Sequence, residues 1–73
     1  MPDVHATGIW MVKTSNISDD GSEVSYVVYR TFLSRQGAMA HCESCAGNVI
    51  HQVYHGHLGM ELKYVTTVDH SYV

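Results

Sequence analysis

Two cysteines, Cys42 and Cys45, stand with two residues between them in the run CESCAG, and His51, His55 and His57 follow closely behind. Cys-x-x-Cys before a glycine is the half-site of a zinc knuckle, and two imidazoles would complete a tetrahedral set of ligands. Cys42, Cys45, His51 and His55 are therefore the candidate metal ligands, and zinc is the cofactor they imply. The same pair of thiols could form a redox couple, and His41, one turn before Cys45, could activate it as a nucleophile. Each chemistry needs a particular backbone beneath it, so the elements that carry these residues decide between them.

The stretch from Ser34 to Tyr54 reads as one helix. On a wheel of about 100° per residue, Ala38, Cys42, Cys45, Ala46, Val49 and Val53 fall together, with Met39 and Ile50 at the margin. Gln36, Glu43, Asn48, His51 and His55 lie on the other side. Such an amphipathic helix turns both cysteines inward and carries His51 and His55 about 160° away from them. They cannot then share one ion, and a knuckle would form only if the helix broke near Gly47 and Asn48. A redox cysteine is activated at a helix N-terminus, whereas Cys42 sits well inside this one. The expectation is accordingly a chain with no cofactor and with cysteines that pack as small apolar groups, zinc being the alternative. Ser34 is placed to cap the helix, and Gly56 to end it in a left-handed conformation.

Three strands are expected around that helix. Thr7 to Thr14, TGIWMVKT, and Glu23 to Leu33, EVSYVVYRTFL, are rich in β-branched and aromatic residues, and the Asp20-Gly21 turn between them suits a hairpin. Met60 to Val68, MELKYVTTV, forms the third, with Met60, Leu62, Tyr64, Thr66 and Val68 on one side and Glu61 with Lys63 on the other. The order β-β-α-β, with a right-handed crossover through the helix, predicts an α+β domain spanning residues 1–73. Its three-stranded, mainly antiparallel sheet runs in the order 2-1-3, covered on one face by the single helix.

Composition narrows the function. The formal charge is −3 and Lys13, Arg30, Arg35 and Lys63 are the basic side chains, scattered rather than striped, so direct nucleic-acid binding is not expected. No apolar run is long enough to span a membrane, and no signal-peptide pattern opens the chain, which points to a soluble cytoplasmic protein. No oxyanion device, phosphate loop or paired carboxylates accompany the thiols and imidazoles, so an enzyme is not expected. One helix cannot cover both faces of the sheet. Trp10, Tyr29, Val27 and Val12 are thus the candidate interaction residues of a small acidic protein-binding module, an inhibitor or adaptor, whose partner carries a basic surface and which assembles as a homodimer.

Overall fold

The computed structural model describes residues 8–44, 47–57 and 59–72. The chain runs through β1 (Ile9–Ile17), β2 (Val24–Phe32), α1 (Arg35–Ser44), β3 (Val49–Gly56) and β4 (Lys63–Asp69). The strands form one sheet in the order β2-β1-β3-β4, and every neighbouring pair is antiparallel. The α+β class and the single helix are as expected, but the sheet has four strands rather than three.

The β1–β2 hairpin follows from local chemistry. Gly21 takes a φ of 74°, a value that a side chain would disfavour. Asp20 gathers the Ser18 hydroxyl and the Ser22 amide and hydroxyl on one carboxylate oxygen, at 2.7, 3.0 and 2.7 Å. The Ser22 amide, helped by the two hydroxyls, draws the Asp20 pKa down to about 2. Across the hairpin, Tyr26 faces Asn16 while Val24 faces Ile17, which leaves Ser25 as an extra residue in a bulge.

Helix α1 begins where its cap predicts. The Ser34 hydroxyl accepts the Gly37 amide at 3.0 Å, and Ala38 closes the first turn onto the Ser34 carbonyl. The helix reaches only Ser44, not Tyr54. Gly47 adopts a φ of 125° and Asn48 turns its backbone into the sheet, bonding the Ile17 amide through its carbonyl. From Val49 the chain is a strand. The long-helix reading fails for a simple reason: Val49 and Val53 are four residues apart, a spacing that puts them on one face of a helix and equally on one face of a strand. Gly56 accordingly ends β3 rather than a helix, and its hydrogen faces Leu62 and Glu61 so closely that a Cβ would lie 2.6 Å from the Leu62 side chain.

The expected crossover exists, but β3 makes it. Strand β3 takes the place beside β1, parallel to β2, and the segment first expected there, now β4, is displaced to the far edge. The central packing is small. Val12 of β1, Val53 of β3, and Ala38 and Cys42 of α1 are fully buried, flanked by Trp10, Phe32, Met39 and Val68. Among the described residues no helix is long and apolar enough to cross a membrane.

Candidate functional site

Strand alternation assigns every side chain to one of two faces. Val12 and Thr14 of β1 are buried, as are Val49, His51 and Val53 of β3, and this is the face that α1 lies against. Lys13 and Met11 of β1, Val27 and Tyr29 of β2, and Ile50 and Tyr54 of β3 occupy the opposite face. Strand β4 contributes differently from expectation. Thr66 pairs with Val53 but Tyr64 pairs with Tyr54, so Val65 is an extra residue in a bulge and Tyr64 moves to the open face. There its ring meets Tyr54 edge to face, with centroids 5.9 Å apart, and its hydroxyl bonds that of Thr67.

The four residues expected to bind a partner are divided between these faces. Val12 is completely buried and Trp10 is half-buried beside it, whereas Tyr29 and Val27 remain 60 % and 38 % exposed on the open face. Tyr54 and Tyr64, the latter 56 % exposed, join them there. Sequence reasoning missed both tyrosines: one was placed in the helix, and the bulge changed the face of the other. The result is a mixed sheet surface, with Val27 and Tyr29 at one edge and Tyr54 and Tyr64 towards the other, Lys13, Ser15 and Gln52 between them, and no described element above it.

The candidate metal ligands are scattered too. Cys42 is buried on α1, and Cys45 lies outside the described residues. His51 and His55 both project from β3 on the helix side, but four residues along a strand span about 13 Å, too far for one ion. His55 stacks on Trp10 with ring centroids 4.1 Å apart and planes within 16°, and Gly8 leaves room for it, since a Cβ there would strike its Nε2. Among the described residues no group of three His, Cys, Asp or Glu side chains is arranged to hold a metal ion.

His51 instead belongs to a cluster that the sequence reading did not assemble. It was expected on a solvated helix face and is fully buried. Its Nδ1 pairs with the Thr14 hydroxyl at 2.8 Å, and its ring meets His41 of α1 and His70 beyond β4, with centroids 5.7 and 5.6 Å away. His70 in turn places its Nε2 2.8 Å from the Cys42 carbonyl at the end of the helix. Three imidazoles thus tie helix, sheet and C-terminal segment together. Burial, then the neighbouring rings of His41 and His70, lower the His51 pKa; burial, then Arg30, lower that of His41. Both shifts favour the neutral ring. The Nε2 of His51 has no hydrogen-bond partner among the described residues, which makes the cluster a costly piece of core.

Asn48 joins the end of β1 to the C-terminal segment. Its side-chain amide donates to the carbonyls of Ile17 and Ser18, and its carbonyl oxygen accepts the Tyr72 amide at 2.8 Å. Compared with known protein families, curated proteins and solved structures, this chain matches none of them.

Proposed function

We propose that this chain is a small acidic protein-binding module, an inhibitor or adaptor that works as a homodimer and engages its partner with the open face of its sheet. The observation that supports this reading is that face itself: Tyr64 stands exposed beside Tyr54, and Tyr29 and Val27 stand exposed on the same face across β1, opposite a face that the helix already occupies. Aromatic side chains supply large contact area at little entropic cost, and they dominate protein interfaces for that reason. A net charge of −3 favours a partner with a basic surface, through faster encounter and rim contacts.

The test is affinity capture with the intact protein and a Tyr54→Ser/Tyr64→Ser variant, followed by direct binding measurements on each captured protein. Binding should weaken at least about tenfold for the variant, as loss of an interface anchor does, and should weaken as salt is raised. A Met39→Gln variant, altered on the helix side, should bind like the unmodified chain. A partner bound equally well by the tyrosine variant would overturn the proposal.

A further inference from the structure

The two edges of the sheet are built differently. Strand β4 carries Lys63 and Asp69 at its ends and a bulge at Val65, features that discourage pairing with another chain. Strand β2 lacks such protection over Tyr26–Phe32, where Arg30 is the sole charged residue and the register is unbroken. Tyr26 and Tyr29 project from its opposite faces, and each is 60 % exposed. Among the described residues only β1 pairs with β2.

The hydrogen-bond phase of this edge can be read from the ladder. Ile17 donates its amide to the Asn48 carbonyl on the β3 side. Backbone groups in an antiparallel strand alternate in direction, so Trp10, Val12, Thr14 and Asn16 bond towards β2. Their partners Phe32, Arg30, Val28 and Tyr26 therefore turn their amides and carbonyls inward. Val27, Tyr29 and Thr31 turn theirs outward, away from β1.

From this we infer that two copies of the chain join through antiparallel pairing of β2 with β2, about a two-fold axis at Tyr29, to make a continuous eight-stranded sheet. The inference rests on the homodimer in the reading above and names its interface. The register follows from the three outward residues: Tyr29 pairs with Tyr29 of the second copy, and Val27 with Thr31, so that all their outward amides and carbonyls are used. On the helix side Tyr26 then faces Phe32, and Val28 faces Arg30. The first is an aromatic pair of the kind that stabilises sheets, the second sets the Arg30 stem against Val28, and no charge lies directly opposite another. The arrangement closes on itself as a two-fold requires, and it sets two open faces side by side on one surface.

Charge substitutions on opposed positions test both the edge and the register, with association followed by sedimentation or light scattering over a range of concentrations. Val27→Lys/Thr31→Lys places like charges opposite one another twice across the axis and should weaken dimerisation at least about tenfold. Val27→Lys/Thr31→Glu places opposite charges there and should retain the dimer. Tyr29→Pro removes an amide that β1 does not use, and should give a monomer with its own sheet intact. Amide NMR spectra check that each variant is folded; the lysine and glutamate variants serve if the proline variant is not. A monomer at all concentrations for the unmodified chain, or equal weakening by the two charge pairs, would overturn the inference. A monomer would also remove the homodimer from the reading above, equal weakening would overturn only this interface, and partner binding by Tyr54 and Tyr64 is measured separately.

Discussion

On the helix side of the sheet, Val12, Val53 and Cys42 are closed off from solvent, whereas on the other side Tyr29 and Tyr64 are more than half exposed. The same four strands supply both surfaces. On the covered side α1 brings Ala38 and Cys42 against Val12 and Val53, and the rings of Trp10, Phe32 and His51 close around them. The open side has Tyr29, Tyr54 and Tyr64 among Lys13, Ser15 and Gln52, and no described element above them. The first arrangement gives the fold its stability, whereas the apolar area left open on the second contributes nothing until something covers it. The buried histidines sharpen the contrast: the covered face contains titratable groups and accepts their cost, because they link three elements.

Three measurements probe this difference. The largest effect should come from Val53→Ala, which opens a space in the centre of the covered face and should cost about 2–3 kcal/mol in denaturant unfolding. Tyr29→Ser, on the open face, should change the stability of the monomer by no more than about 0.5 kcal/mol. Equal losses would mean that the two faces are not distinct in the way described. A smaller and graded loss should accompany acidification. Since the folded pKa of His51 lies below its ordinary value of 6.5, the unfolded chain takes up the proton first. Stability is therefore complete above about pH 6.5, falls as the pH drops below it, and levels off once the lowered folded value is passed. His51→Gln, which keeps a polar group beside Thr14, should flatten that slope in unfolding curves recorded between pH 7.5 and about 5; an unchanged slope would assign the effect elsewhere. A loss of about 1 kcal/mol is expected for Ser34→Ala, which removes the helix cap above the covered face and should leave the Tyr54–Tyr64 contact unaffected by NMR.

Local features were readable wherever one residue type answers one backbone demand. Asp20-Gly21 marks the hairpin, Ser34 caps the helix, and Ala38 with Cys42 point inward at a spacing of one turn. The stretch after Ser44 was not readable from periodicity, because Val49 and Val53 satisfy helix and strand alike. Gly47-Asn48 and the β-branched and aromatic content of VIHQVYH were the signals that favoured a strand. Losing β3 also lost the site: Tyr54 was hidden inside a helix, His51 was turned to solvent, and the position beside β1 passed to the wrong segment.

Composition and short-range pattern were enough to establish an acidic α+β chain with a β-hairpin, a capped helix and more apolar strand surface than one helix can cover, because these depend on neighbours in sequence. The pairing of β3 between β1 and β4, the gathering of His41, His51 and His70, and the move of Tyr64 to the open face belong to the tertiary structure alone. Each depends on which strand lies next to which and on a single extra residue at Val65, and a one-residue shift in a strand exchanges its two faces.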